Sequence, residues 1–173
     1  ARTAEIAQLK LDEVIFDEGL PHFIIQASEG SSLKTHAATR RIPMHNKLIE
    51  LGLRSYAADL KSAGEQRLFP YWRRPTGKGY ADASSQRFFR RSIIPLITTR
   101  QHPRPNFHSF RNTMKDEMVR IGMTPAHQDV ILGHEPAGMT RIYHKSRNLA
   151  DLTESLSRVE FPHVDFSEIV ARG

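Results

Sequence analysis

Residues 106–121 read NFHSFRNTMKDEMVRI and carry the strongest helical pattern in the chain. Their apolar residues are spaced 3, 4, 4 and 3 apart, which predicts an amphipathic helix with one face in the core. His108 and Arg111 lie beside this apolar stripe, so we expect a partly buried imidazole and a guanidinium to project together. A guanidinium fork matches phosphate oxygens, and the pair therefore suits an anion site. The stripe consists of Phe107, Phe110, Met114, Met118 and Ile121.

Capping signals predict a second helix directly downstream. Thr124 suits the N-cap, Pro125 the first helical position and Gly133 the position just past the end. His134 follows that end, where we expect nearby carbonyl groups to hold its ring.

Further helical patterns lie on both sides of these two helices. Ile6 and Leu9 indicate a helix that is already under way at the first residue, which suggests that a preceding domain is missing. The other helices are predicted over residues 46–64, 82–99 (shortened or kinked at Pro95), 140–143 and 149–158.

Three strand-like runs separate the first helix from the second. They cover residues 14–16, 22–26 and 41–44, with turn residues between them. We therefore predict an α+β fold, mostly helical, with a small three-stranded antiparallel sheet on one side.

Composition indicates one soluble globular domain with a basic region. The chain has 173 residues, 39% of them hydrophobic, no cysteine and no apolar stretch long enough to span a bilayer. Its net charge is +6, yet residues 66–120 alone hold twelve Lys and Arg against three acids. Such a concentration suits a nucleic-acid backbone, although a simple solvated charged face would look the same.

Three short motifs give this sequence its functional meaning when they are taken together. Residues 106–113 (NFHSFRNT), 130–134 (VILGH) and 139–144 (MTRIYH) resemble the signature of the tyrosine recombinase, or phage integrase, family. The spacing also matches, with 23 positions from Arg111 to His134 and 9 from His134 to Tyr143. Upstream, residues 1–6 (ARTAEI), Lys34-Thr35 and residues 39–44 (TRRIPM) resemble the first arginine motif, the hairpin lysine and the strand that follows it.

The resemblance implies a catalytic domain that cuts and rejoins DNA without a metal or another cofactor. By family analogy, Tyr143 is the nucleophile and forms a 3′-phosphotyrosyl link. Arg2 and Arg111 would bind the non-bridging oxygens, and Lys34 would protonate the leaving 5′-oxygen. His108 and His134 would bind the phosphate or move protons, which makes activity sensitive to pH near neutrality.

The partners that the resemblance implies are double-stranded DNA attachment sites, a homotetramer on DNA and host accessory DNA-bending factors. We expect a set of basic residues to contact phosphates away from the scissile bond. These DNA-binding candidates are Arg73, Arg74, Lys78, Arg87, Arg90 and Arg91.

The same resemblance suggests how the chain is organised and where it acts. Residues 1–173 would form the catalytic domain, a core-binding domain would precede it, and the tail of residues 157–173 would pack on a neighbouring protomer or fold back on its own domain. The protein would be encoded by a bacterium or phage and act in the cytoplasm, associated with the nucleoid and separate from membranes.

Three alternatives use the same residues differently. A metal-dependent nuclease is conceivable because the chain has nine histidines, but it lacks the spaced His, Asp or Glu ligands of common metal motifs. A DNA-binding module that has lost catalysis would have no reason to keep all six catalytic positions. A type IB topoisomerase shares the chemistry, although the hairpin lysine and the LGH motif favour a recombinase.

Overall fold

The computed structural model describes residues 1–16, 19–26, 39–72, 87–96, 105–134, 148–162 and 164–167. Within these ranges the chain has the predicted α+β architecture. A small antiparallel sheet and several helices share one hydrophobic core, which confirms the predicted fold class.

The sheet has three antiparallel strands in the order β1-β2-β3. The strands are β1 (Val14–Ile15), β2 (His22–Ile25) and β3 (Arg40–Pro43), each within about one residue of its predicted bounds. Phe23 pairs with Val14 on one side and with Ile42 on the other. Ile25 and Ile42 are buried, so one face of the sheet closes the core.

Six α-helices surround the sheet in the described parts of the chain. They are α1 (Thr3–Ala7), α2 (Asn46–Glu50), α3 (Leu53–Ser62), α4 (Phe107–Arg120), α5 (Pro125–Leu132) and α6 (Leu149–Ser157). The predictions for α4, α5 and α6 are confirmed, including Thr124 as the N-cap of α5 and Gly133 at its C-terminal end.

Two predicted helix bounds are wrong. The single helix predicted over residues 46–64 is broken, because Gly52 adopts φ 88 and forms the N-cap of α3. This left-handed conformation is accessible to glycine. Helix α2 therefore ends at Glu50, two residues before Gly52. At the start of the chain, Arg2 is extended and precedes α1, so the first residue does not lie inside a helix.

Residues 87–96 are the described part of the helix predicted over residues 82–99. They form a wide π-helical turn at Phe89–Ile93 and a tight 3-10 turn at Ile94–Leu96. Pro95 lies in the tight turn, and its ring and missing N–H prevent a regular α-helix there.

Helix α4 is buried only along its C-terminal half. Met118 is fully buried, and Met114 and Ile121 pack against the core from partly buried positions. Phe110 is 49% exposed, so the predicted core stripe does not continue to the start of the helix. The first turn of α4 faces other aromatic rings and an open pocket instead of the core.

The described part of the C-terminal tail folds back on its own domain. Val159 is 1% exposed, and its carbonyl oxygen lies 2.8 Å from Nε2 of His45. Phe161 packs edge-on to the His45 ring, and Lys47 lies over the ring of Phe166. Within the described residues, no helix has both the length and the apolar character needed to cross a membrane.

Candidate active site

The candidate site is built around the C-terminal end of α5. The last carbonyl groups of a helix have no partner inside the helix, and the helix dipole makes this end electronegative. Gly133 has φ 74, and its N–H closes the helix on the carbonyl of Asp129 at 2.7 Å. The chain turns away there, which leaves the carbonyl oxygens of residues 130–133 open to donors from elsewhere.

Four consecutive carbonyl groups at this end each accept a hydrogen bond from a distant part of the chain. Three of the donors are guanidinium groups, and the fourth is the backbone nitrogen of residue 1. The pairs are Arg40 Nε to Val130 O at 2.9 Å, Ala1 N to Ile131 O at 3.0 Å, Arg111 Nη1 to Leu132 O, and Arg2 Nη2 to Gly133 O at 3.2 Å. Segments from α1, β3 and α4 therefore meet at one helix end.

Glu5 is the counter-charge inside this cluster of cations. It is 2% exposed and accepts two hydrogen bonds from Arg40, at 2.7 Å from Nη2 to Oε2 and at 3.2 Å from Nη1 to Oε1. The same carboxylate accepts the backbone N–H of Arg2 at 2.6 Å. Burial raises the pKa of Glu5, but the hydrogen bonds and charge of Arg40 outweigh it and hold the pKa below the usual 4.5. The carboxylate is therefore ionised at neutral pH and ties Arg2 to Arg40.

Arg40 fills the space beneath Gly133. A Cβ atom placed on Gly133 would lie 2.3 Å from Nη2 and 2.5 Å from Cζ of Arg40. The side chain of Arg40 is 11% exposed, and its bonds to Glu5 and to the carbonyl of Val130 limit its freedom to move. Gly133 is therefore required both for its left-handed conformation and for the close approach of this guanidinium.

Arg111 remains a cation that is partly withdrawn from water. Burial lowers the pKa of its guanidinium, Glu5 raises it in part, and Arg2 and Arg40 lower it further. A guanidinium carries five N–H donors, so Arg2 and Arg111 each keep donors beyond the one that binds α5. Both groups can thus bind an anion while the helix end holds them in place.

His134 follows Gly133 and reaches the same region. Its backbone N–H donates to the carbonyl of Asp129 at 2.9 Å, and its Nδ1 lies 3.5 Å from Oδ1 of Asp129. The ring is thus held by a carboxylate, whereas the sequence predicted nearby carbonyl groups. Burial and the positive charge of Arg111 lower the pKa of His134 below 6.5, although Asp129 opposes them. The ring is therefore mainly neutral at pH 7.

His108 lines an open pocket of about 180 Å³ beside Arg111, between α4 and α5. The prediction that His108 is partly buried is wrong, because the residue is exposed on the first turn of α4. That turn lies at the edge of the core, and for this reason the apolar stripe does not cover it. The other pocket-lining residues are Ala1, Thr3, Phe107, Phe110, Met114, Ile131 and Leu132.

The structure therefore brings together four of the six catalytic candidates. Arg2, Arg111 and His134 meet at the end of α5, and His108 shares a pocket with Arg111. The other two, Lys34 and Tyr143, lie outside the described residues. The model of the phage integrase family matches residues 1–149, which include all six.

The chain belongs to the phage integrase family. Members of this family, the tyrosine recombinases, act on DNA, so DNA is the class of substrate for this integrase domain. Comparison with curated proteins and with solved structures gives no match.

The sequence did not single out Arg40 of the integrase site, and it gave Glu5 only as part of the first arginine motif, without a role of its own. Glu5 carries a signal, since an acid three residues after Arg2 fits a helix capping box, and its carboxylate does accept the Arg2 N–H. Arg40 carries none, because a cation at a strand end usually faces solvent. Only the long-range packing of β3 against α5 reveals its position.

Three of the predicted DNA contacts lie on residues 87–96 of the integrase domain. Arg87, Arg90 and Arg91 are exposed, while Phe89 between them is buried and packs edge-on against Phe110 of α4 at 5.8 Å. The buried ring fixes the exposed cations relative to the helix of His108 and Arg111. The remaining predicted contacts, Arg73, Arg74 and Lys78, lie outside the described residues.

A row of five aromatic rings connects residues 87–96 with Phe69 and Trp72, which precede Arg73 and Arg74 in the sequence. Phe69 stacks on Trp72 at 5.2 Å, and Trp72 meets Phe107 edge-on at 5.7 Å. Phe107 then contacts Phe110 at 5.5 Å, and Phe110 contacts Phe89. The first turn of α4 therefore packs against Trp72 on one side and against Phe89 on the other.

We expect Gly133→Ala to destabilise the domain by about 2 kcal/mol or more. The left-handed backbone alone costs an L-residue roughly 1–2 kcal/mol, and the new methyl group must also displace the guanidinium of Arg40. Urea unfolding measures the change. Gly122→Ala is the matched control, because Gly122 has φ 68 but no atom lies within 4 Å of the place that its Cβ would occupy. Equal losses for the two variants would show that the contact with Arg40 contributes nothing.

We expect Glu5→Gln to cost about 3 kcal/mol or more at pH 7, because it takes the carboxylate away from the buried charge of Arg40. The folded-state pKa of Glu5 lies below its unfolded value, so its stabilisation is complete above pH 4.5 and is lost as the pH falls through the folded pKa. The variant should therefore lose less stability than the wild type between about pH 5 and pH 3.

Urea unfolding at a series of pH values tests this expectation. Glu50→Gln removes an exposed ion pair with Lys47 and should change stability by only about 0.5 kcal/mol. If the Glu5 and Glu50 variants behaved alike, the carboxylate of Glu5 would not neutralise the cluster.

Proposed function

We propose that this chain is the catalytic domain of a site-specific recombinase, which cleaves and rejoins DNA through a covalent bond between Tyr143 and a 3′-phosphate. The observation that carries the proposal is the convergence of Arg2, Arg111 and His134 on the end of α5, with His108 in the adjoining pocket. Phosphate is the ligand that such a set of guanidinium and imidazole donors suits best.

The proposed reaction is a transesterification. The phenolic oxygen of Tyr143 forms a bond to phosphorus, the bond from phosphorus to the 5′-oxygen breaks, and the leaving oxygen takes a proton from the general acid, which we assign to Lys34. The reverse reaction rejoins a strand, because a 5′-hydroxyl attacks the phosphotyrosine and releases the phenol. The covalent link conserves the energy of the phosphodiester bond, so no energy-rich cofactor is needed.

Tyr143 requires help to act as a nucleophile. A free phenol has a pKa of about 10, so only about one molecule in a thousand is ionised at pH 7, a handicap of roughly 4 kcal/mol. A base that accepts the phenolic proton removes this handicap. We assign this role to His108, whose exposed position at the pocket lets it reach a bound strand.

The two arginines would stabilise the charge that develops on the phosphate oxygens. Their guanidinium groups are held by Leu132 O and Gly133 O before DNA arrives, so little reorganisation accompanies the reaction. His134 directs Nδ1 towards Asp129, so it would donate Nε2–H to a non-bridging oxygen in its protonated form, which the negative charge of a bound phosphate favours. Arg2, Arg111 and His134 would thus surround the phosphate with hydrogen-bond donors.

We further propose that the full-length protein works as a tetramer on paired attachment sites and integrates or excises mobile DNA, as a phage or prophage integrase does. Arg87, Arg90 and Arg91 would bind phosphates of the duplex at a distance from the scissile bond, because they are exposed on a segment that Phe89 anchors to α4.

Among the described residues, no group of three or more His, Asp or Glu side chains is arranged to hold a metal ion.

We expect Tyr143→Phe to abolish covalent attachment to a nicked duplex that carries the attachment site and traps the intermediate. The change removes only the nucleophilic oxygen, so salt-dependent DNA binding should persist. Denaturing gel electrophoresis detects the adduct, and the assay is run with and without a chelator. An adduct formed by the Phe variant, or one that disappears with the chelator, would contradict the proposed nucleophile or the metal-independent reaction.

We expect Arg111→Ala to slow adduct formation by about 10² to 10³-fold at saturating DNA, because one donor to the developing charge is lost. Arg91→Ala is the contrasting variant, since it removes an exposed cation on the anchored segment and should weaken binding while leaving the saturated rate nearly unchanged. Single-turnover kinetics separate rate from affinity. If both variants lost affinity and rate in the same proportion, Arg111 would be an anchoring residue only.

A further inference from the structure

We propose that Lys115, on α4, binds a DNA backbone phosphate next to the one held by Arg111, and so extends the candidate site by one helical turn. This inference rests on the proposed function, because it places a second phosphate of the same strand beside the reacting one. The position of Lys115 on α4, its neighbours and its lack of partners among the described residues support it.

Lys115 lies on the same side of α4 as His108 and Arg111, in a helix that runs from Phe107 to Arg120. An α-helix turns about 100° per residue, so His108, Arg111 and Lys115 fall within a sector of about 60° on one side. Lys115 lies four residues, or about 6 Å, beyond Arg111 along the axis. Because phosphates follow one another roughly every 3.4 Å of axis along a DNA strand, a residue one turn away faces a different phosphate.

The charged residues around this side of α4 also leave room for an anion. Glu117 lies about 180° away from His108 around the helix and pairs with Arg120 at 2.6 Å, so that pair does not neutralise the side of α4 that carries Arg111 and Lys115. Among the described residues, Asp129 is the carboxylate that contacts the ring of His134, at 3.5 Å. Glu5, the buried carboxylate that acts on Arg111, is already bonded to Arg40. Arg111 and Lys115 therefore both remain able to attract an anion to this face.

Lys115 has no partner within the described parts of the chain. It is exposed, and in the parts of the chain that the structure describes it makes no hydrogen bond and no ion pair. Yet it lies close enough to the site to act on it, because its charge contributes to the lowered pKa of His134, after burial and Arg111. Among the described residues, Lys115 thus has a free ammonium group next to Arg111 and His134, to which we assign the reacting phosphate. It is therefore suited to bind a phosphate itself.

The alternative is that Lys115 is an ordinary solvated side chain. The two readings differ in how DNA affinity depends on salt. Each phosphate contact contributes about 0.9 to the slope of log affinity against log salt concentration, whereas a solvated lysine contributes far less.

The test uses the 173-residue chain with Tyr143→Phe, so that covalent trapping does not disturb the binding equilibrium. Affinity for a duplex is measured at several salt concentrations for this chain and for the same chain with Lys115→Gln. The matched control is Arg120→Gln, which removes one positive charge from the same helix but about 140° away from Lys115. The expected result is a slope smaller by about 0.9 for the Lys115 variant and an unchanged slope for the Arg120 variant.

A second measurement identifies the contacted phosphate. Single phosphates on either side of the cleavage position are replaced one at a time by uncharged methylphosphonates. One replacement next to the scissile phosphate should weaken binding of the Tyr143→Phe chain, and should have no further effect once Lys115 is Gln.

Equal slopes for the Lys115 and Arg120 variants would overturn the proposal, as would penalties that add at every methylphosphonate position. These binding results do not depend on cleavage. A wild-type chain that fails to form the tyrosyl adduct would contradict the proposed function while the binding measurements still decide the role of Lys115.

Discussion

Guanidinium groups from the residue before α1, from β3 and from α4 bind the carbonyl oxygens at the C-terminal end of α5, and the arrangement of the candidate site depends on these hydrogen bonds. A helix end has carbonyl groups to offer and a partial negative charge, so it can hold several cations close together without a ligand. Arg2 and Arg111 come from residues 109 positions apart in sequence, yet they bind adjacent carbonyls. The carbonyl groups at the end of α5 therefore determine where these two guanidinium groups lie.

Three guanidinium groups in one place would repel one another strongly without compensation. Glu5 supplies it from a buried position, and it does so while holding the backbone of Arg2 and the side chain of Arg40. The two arginines that face DNA in the proposed reaction each use one donor on the helix end and keep the others. Arg40, in contrast, is committed to the protein, because it binds Glu5 and Val130 O and lies against Gly133.

The sequence predicted those parts of the structure that depend on local patterns. Capping residues placed α5 correctly, and alternation with turn residues placed the three strands. The break at Gly52 was missed because the apolar spacing continues across it, and the left-handed turn depends on one residue without a side chain. The exposure of Phe110 and His108 was missed because the pattern shows which side of a helix is apolar, but not where along the axis the core ends.

The sequence likewise predicted some residues of the candidate site and missed others. The motif resemblance named Arg2, His108, Arg111 and His134, and the structure places them around one helix end and its pocket. Arg40 could not be recognised, because its importance comes from a contact 90 residues away in the chain. The carboxylate partner of His134 was likewise invisible, since the turn that brings the ring back over Asp129 is a three-dimensional feature.

The row of five rings has an evolutionary consequence. Phe107 and Phe110 each touch a ring on either side, so a smaller residue at one position would leave two neighbours poorly packed. A change at any inner ring is tolerated best when an adjacent ring changes with it. Among related integrases we therefore expect these positions to vary in concert, with a gain of volume at one matched by a loss at the next.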